Sequence, residues 1–185
     1  MLFTFEGKTP QIEDSTWIGP GSFVIGDVVI GARSTVWPGA VIRGDFNSIR
    51  IGENVHVEDN VVIHSGEGIV LGNNITIGHS AVVHCARVGD GVLLANNSTV
   101  LDGAIIGDGC IIAAGALVPP REVVPPYSIV MGVPGTVRPA PQRLVEGRRN
   151  RQTSTTGGYH DNAMRYRASG IEEREVWTPR PPAGA

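Results

Sequence analysis

Four of the five histidines in this 185-residue chain, His56, His64, His79 and His84, lie within 29 residues of one another. Imidazole is the commonest side-chain ligand for zinc and related metals, and it titrates near neutral pH, so such a cluster suits metal binding or proton transfer. His64 follows Ile63 and His84 follows Val83, each imidazole coming directly after an aliphatic residue. The two lie 20 residues apart, whereas His79 precedes His84 by only five. Whether these side chains can meet depends on the elements that carry them.

Those elements repeat every six residues. Val88, Leu94, Val100, Ile106, Ile112 and Val118 form one unbroken series. Leu71, Ile77 and Val83 form a second, and Ile51, Val57 and Ile63 a third. A fourth runs from Ile12 through Ile18, Val24, Ile30 and Val36 to Ile42. Gly or another small residue often follows the aliphatic one, as in Ile18-Gly19, Ile77-Gly78 and Ile112-Ala113. A period of six matches neither the 3.6 of a helix nor the simple alternation of a strand. It fits a short strand and a corner, with the aliphatic side chain inside. Three such sides make one triangular coil of about 18 residues, and stacked coils make a parallel β-helix. Residues 12–118 would supply roughly six coils. Asn73-Asn74 and Asn96-Asn97 suit the corners, because Asn tolerates the left-handed backbone region.

On this scaffold His64 and His84 occupy the same hexad position and should stack on neighbouring coils. Strands in register lie ~4.8 Å apart and Zn–N bonds are ~2.0–2.1 Å, so two stacked imidazoles can share one ion. His79 lies nearly one side of the triangle away and needs a neighbouring subunit to reach that ion. Threefold symmetry would then place three such sites between subunits. Unrelated surface or turn histidines are the alternative.

The bulk composition agrees with the scaffold. Glycine numbers 25, and 20 of these fall in residues 1–138. Aromatics are only 5%, which argues against a core built on large rings. A net charge of -3, with no basic stripe in residues 1–138, points away from nucleic acid. The basic cluster Arg143 to Arg151 carries a glutamate and suits a solvated linker. No apolar run approaches the ~20 residues of a membrane span. The start, MLFTFEGKTP, lacks a charged n-region and a long apolar segment, and Cys85 and Cys110 make no disulfide framework. A cytoplasmic protein without membrane partners is expected. The coils should occupy residues 1–138, with 139–158 as a linker and 159–185 as a C-terminal helix and disordered tail. Tyr159, Ala163, Tyr166 and Arg167 share a helical face that Gly170 ends, and Glu172 to Val176 could form a second short turn. An open coil end invites aggregation, and the chain after 138 is the obvious cap.

Several runs also carry a resemblance. Val36-Trp37-Pro38-Gly39-Ala40-Val41-Ile42-Arg43-Gly44-Asp45 resembles the opening signature of the gamma-class carbonic anhydrase family. Glu58-Asp59, Val62-Ile63-His64, Ile77-Gly78-His79, Val83-His84, Val100-Leu101-Asp102-Gly103-Ala104 and the exit motif Gly132-Val133-Pro134-Gly135 follow in order. The match covers residues 8–138, with a weaker one from Tyr159 to Tyr166. The resemblance implies an all-β fold, a left-handed parallel β-helix of hexapeptide repeats with a C-terminal α-helix, assembled as a homotrimer. It implies a metal, typically zinc with iron or cobalt as alternatives, held by His64 and His84 of one subunit and His79 of the next. It implies reversible hydration of CO2 to bicarbonate by metal-bound hydroxide. Arg43, Asp45 and Asp59 match charged residues that orient the site or brace the subunit interface. His56 and Glu58 stand where the family commonly has Asn and Gln. Glu58 could accept a proton, and His56 could shuttle one or play a structural part. Tyr159 resembles a helix tyrosine that approaches the site, packing being its plainer role. The turn Ser65-Gly66-Glu67-Gly68 is much shorter than the acidic loop of strongly active members. An acyl-CoA-dependent acyltransferase and a catalytically weak metal-binding or assembly homologue are the competing functions.

Overall fold

In the computed structural model the six-residue period winds into a left-handed parallel β-helix of about seven turns. Residues 1–153 and 158–178 are described, without the side chains of 148–153. Each coil has three faces. The first carries short strands such as Trp17–Ile18, Thr35–Val36, His56–Val57, Thr76–Ile77 and Leu93–Leu94, all parallel and in register. The second carries Val62–His64, Val82–Val83, Thr99–Val100 and Leu117–Val118. The third carries Ile69–Leu71, Arg87–Val88, Ile105–Ile106 and Val123–Val124. Two long strands, Phe23–Ile30 and Val41–Ile51, run through both the second and third faces of the early coils. The bend between those faces needs glycine at Gly26, whose φ is +76° and where a Cβ would sit 2.4 Å from the Gly44 carbonyl oxygen.

The hexad aliphatics fill the prism. Ile63, Val83 and Val100 stack on one wall and Ile77, Leu94 and Ile112 on another, all fully buried. The pattern continues past Val118 to Val124 and Val130, so the coils run up to the exit motif at Gly132. Rungs are tied by backbone bonds between coils, such as Val62 N–H to Ala81 O at 3.0 Å and His84 N–H to Val100 O at 2.8 Å. The corner before the first face is left-handed in six successive coils, at Arg33, Asn54, Asn74, Gly91, Gly109 and Tyr127. The corner after it is left-handed at Gly39, Asn60, Ser80, Asn97 and Gly115. Both Asn pairs therefore lie at corners as expected, and much of the glycine surplus is corner geometry.

The chain beyond the coils differs in part from its sequence pattern. Residues 139–158, which read as a linker, contain helix α1 (Gln142–Thr153). Its sequence, QRLVEGRRNRQT, is polar nearly all round and so offers no apolar stripe for periodicity to detect. Helix α2 (Gly158–Ala168) forms as expected and ends before Gly170, whose φ is +75°. Residues 172–177 are an extended strap and not a short turn. Val176–Trp177 pairs with Leu2–Phe3, the strand that itself pairs with Phe23–Ile30. Strand pairing with Leu2 and Phe3 thus overrides the local tendency to turn. The disorder expected for 179–185 lies outside the described residues.

Helix α2 and the strap cover the first face at the N-terminal end of the prism. Ala163 is fully buried there, and Trp17, Trp37, Tyr159 and Tyr166 form an aromatic layer with ring centroids 4.9–6.5 Å apart. Trp17 Nε1 donates to the Ile171 carbonyl at 2.8 Å, and Arg167 and Arg174 donate to first-coil carbonyls. Glu172 pairs with both arginines. The aromatic residues sit mainly between prism and cap, where there is room for rings that the triangular interior lacks.

Candidate metal centre

The second face is bounded by two corners, and the histidines divide between them. His64 ends strand Val62–His64 and His84 follows Val82–Val83, so both stand at the corner leading to the third face. Their strands are direct neighbours, and the ring centroids are 5.4 Å apart. His79 follows Thr76–Ile77 and stands at the opposite corner, between the first and second faces. Among the described residues of one chain, no three potential ligands converge.

Around His64 the long strand Val41–Ile51 supplies two charged groups. Arg43 pairs in register with His64. Arg43 Nη1 donates to Asp45 Oδ2, and the other carboxylate oxygen of Asp45 lies 3.0 Å from His64 Nε2. Partial burial of Asp45 works against its charge, but the Arg43 hydrogen bond and the backbone hold its carboxyl below the usual carboxylate range. His84 Nδ1 lies 3.0 Å from Asp102 Oδ1. Phe46, 72% exposed, places its ring 5.8 Å from His64. The short turn offers its one carboxylate, Glu67, on an exposed loop tied by Asn47 Nδ2 to Gly66 O at 2.7 Å.

At the opposite corner, His79 is half-exposed and sits between two carboxylates. Glu58 Oε2 lies 3.0 Å from its Nε2 and accepts its backbone N–H at 3.1 Å. Asp59 Oδ2 lies 3.1 Å from its Nδ1. Glu58 is itself buried. Tyr159 from α2 joins Glu58, Thr76, His79 and Asn96 in lining a groove of about 390 Å³.

His56 points out of the coil but is covered by α2. It is 4% exposed and stacks on Tyr159 at 5.0 Å, with Nδ1 3.0 Å from Thr35 Oγ1. Burial, aided by the charge of His160, pushes its pKa down to about 4. A closed-in, neutral ring of this kind anchors the helix more readily than it exchanges protons with solvent.

The residues singled out from the sequence therefore fall into two groups. Arg43, Asp45, His64 and His84 share one edge of the second face. Glu58, Asp59, His79, Tyr159 and the buried His56 share the other. Asp102 is the contact that sequence reasoning missed. It stands two residues after Val100 in the coil after His84, and that hexad register was the available signal.

The donors fit a divalent metal. Two imidazoles project side by side from neighbouring rungs, each against a carboxylate that can orient it, which is the usual surrounding of ligating histidine. Between the two edges, the outward residues Val41, Val62, Val82, Thr99 and Leu117 carry no charge, and Val62 is 39% exposed. No helix among the described residues is long and apolar enough to cross a membrane.

Comparison with known proteins agrees with the architecture. The family model for bacterial transferase hexapeptide repeats matches residues 9–44 and 85–120. A carbonic anhydrase of Geobacillus kaustophilus is 34% identical over 109 residues, 58% of this chain and 60% of that protein. The chain thus spans under two thirds of that relative's length. The carnitine operon protein CaiE of a Proteus species is 30% identical over 181 residues, covering 96% of this chain and 90% of that one. The crystal structure of a hexapeptide transferase family protein from Anaplasma phagocytophilum superposes with a TM-score of 0.82 at 29% identity, covering 90% and 98% of the two chains.

Proposed function

Because the chain belongs to the gamma-class carbonic anhydrase family of hexapeptide-repeat proteins, we propose that it hydrates CO2 reversibly at a metal site shared between subunits. The observation that carries this is the division of the histidines, two on one edge and one on the other edge of the same uncharged face. Three chains related by a threefold axis, with these faces turned toward the axis, bring each His64–His84 edge to the neighbour's His79 edge. Apolar Val41, Val62, Val82 and Leu117, already partly covered in one chain, would then be fully buried, each gaining a fraction of the ~1.5–3 kcal/mol of complete burial. The coil levels agree, since His64 and His84 lie on neighbouring rungs and His79 on the coil of His84.

The expected metal is zinc, with iron or cobalt as alternatives, held by His64 and His84 of one chain and His79 of the next. When bound, it supplies the Lewis acidity that makes water a nucleophile at neutral pH. The reaction joins water and CO2 and releases bicarbonate and one proton. Arg43 and Asp45 orient His64 and keep a fixed ion pair beside the site. Glu58 can hold the released proton on a carboxylate oxygen, which the amide usual in the family cannot do. Asp59 steadies His79 through Nδ1, so Glu58 must withdraw from Nε2 for that nitrogen to take the metal, and Tyr159 closes the groove on the helix side. His56 fixes Tyr159 and thereby the helix.

Stopped-flow CO2 hydration on zinc-loaded protein tests the proposal; no rate above buffer at full zinc occupancy rejects it. A second activity, acyl transfer from an acyl-CoA, is favoured by the hexapeptide transferase relationship and by the groove beside His79. Saturable CoA binding in calorimetry together with an absent hydratase rate would select it.

A further inference from the structure

We propose that Asp102 is a positioning residue that fixes the His84 tautomer and ring orientation, leaving Nε2 as the metal-binding nitrogen. This rests on His84 being a ligand. A bare lone pair on a ring nitrogen is repelled by a carboxylate oxygen at contact distance, so the nitrogen beside Asp102 is the one that carries a proton. At 3.0 Å from Asp102 Oδ1, that nitrogen is Nδ1. The lone pair of neutral His84 is then confined to Nε2, on the far side of the ring, where no protein partner occupies it among the described residues.

The loop that presents Asp102 is fixed on both sides. Leu101 N–H donates to Val118 O at 3.1 Å, and Ala104 N–H donates to Leu101 O at 3.2 Å. The Asp102 carbonyl accepts the Arg121 N–H at 2.7 Å, and Gly103 takes φ +67° to turn the corner. The carboxylate thus reaches back one coil from a rigid base. His84 is held in turn by its own N–H on Val100 O at 2.8 Å. Asp45 serves His64 differently, because it is already bonded to Arg43 and divides its charge between the two. Asp102 makes no other ion pair among the described residues. Each imidazole of the pair therefore has its own carboxylate, and only the His84 carboxylate is undivided.

The test uses Asp102→Ala and Asp102→Asn. Asp102 is 60% exposed, so both variants should fold, and a melting curve checks this. Long-range nitrogen–proton NMR on metal-free, 15N-histidine-labelled protein reads the tautomer directly. Wild type should carry the His84 proton on Nδ1, and Asp102→Ala should move the balance toward Nε2. Zinc affinity by competition with a chromophoric chelator should fall about 10–100-fold in Asp102→Ala. Asp102→Asn, which keeps an acceptor oxygen, should recover most of that loss, whereas a pure charge effect would not be recovered. A wild-type proton on Nε2, or zinc affinity within twofold of wild type in Asp102→Ala, overturns the proposal. Wild type taking up no zinc would reject the ligand role of His84, and the NMR measurement would still decide whether Asp102 sets the tautomer.

Discussion

Replacing His56 with Asn should flatten the acid side of the stability profile. His56 is 4% exposed beneath Tyr159, and its pKa is pushed from 6.5 down to about 4, mainly by burial. Trp37 Nε1 already donates to Thr35 Oγ1 at 3.0 Å, so the hydroxyl proton is available to a neutral Nδ1. Between pH 6.5 and pH 4 the unfolded chain binds this proton and the folded chain does not. Stability tied to neutral His56 is therefore complete above about pH 6.5 and is lost as pH falls toward 4. A fall from 6.5 to about 4 corresponds to roughly 3 kcal/mol. For a chain of this size that is roughly 6–12 °C in melting midpoint. Asn can keep a hydrogen bond to Thr35 and does not titrate, so His56→Asn should lose less stability over the same interval. The assay is thermal or urea unfolding at half-unit steps from pH 7.5 to 4, at matched protomer concentration for both proteins. Other titrating groups are common to the two, so the difference in slope isolates His56. Parallel curves would show that the ring is protonated or solvated in the folded state and would refute the buried-anchor account.

His79→Ala should lower metal content at least about tenfold, since even partners behind a ligand cost 10–100-fold, and should weaken the trimer in the same preparation. Unchanged zinc by elemental analysis would refute the shared-site geometry. Val62→Asp places a charge at the centre of the uncharged second face, and sedimentation should show dissociated subunits with a β-rich circular dichroism spectrum. A trimer that persists would move the interface elsewhere. Leu94→Asp buries a charge at a fully enclosed hexad position and should cost more than about 3 kcal/mol. Near-native urea resistance in that variant would argue against the packed prism.

The hexad phase is the part most open to reading from sequence, because it repeats a local rule. An aliphatic residue every six positions must find the same interior in every coil, and Ile63, Val83 and Val100 do. The stacking of His64 over His84 follows directly, since equal positions on neighbouring rungs lie one strand spacing apart. His79 could be assigned to another edge for the same reason. The helix around Tyr159 was legible from its own period and its glycine stop. Helix α1 was not, because its nearly all-polar sequence carries no apolar stripe.

Sequence alone therefore determined the coiled scaffold, its left-handed corners at Asn74 and Asn97, and the two-and-one division of the histidines. Tertiary structure alone decided what surrounds them. The strap at 172–177 pairs with Leu2 and Phe3 from the opposite end of the chain, and Trp17 bonds to Ile171. Contacts across more than 150 residues leave no local period. The burial of His56 depends on a helix that arrives from about 100 residues further along the chain, and the choice of nitrogen on His84 depends on a carboxylate one coil away. A repeat specifies where each rung lies. The protonation and orientation of a side chain depend on the neighbours that the folded chain brings to it.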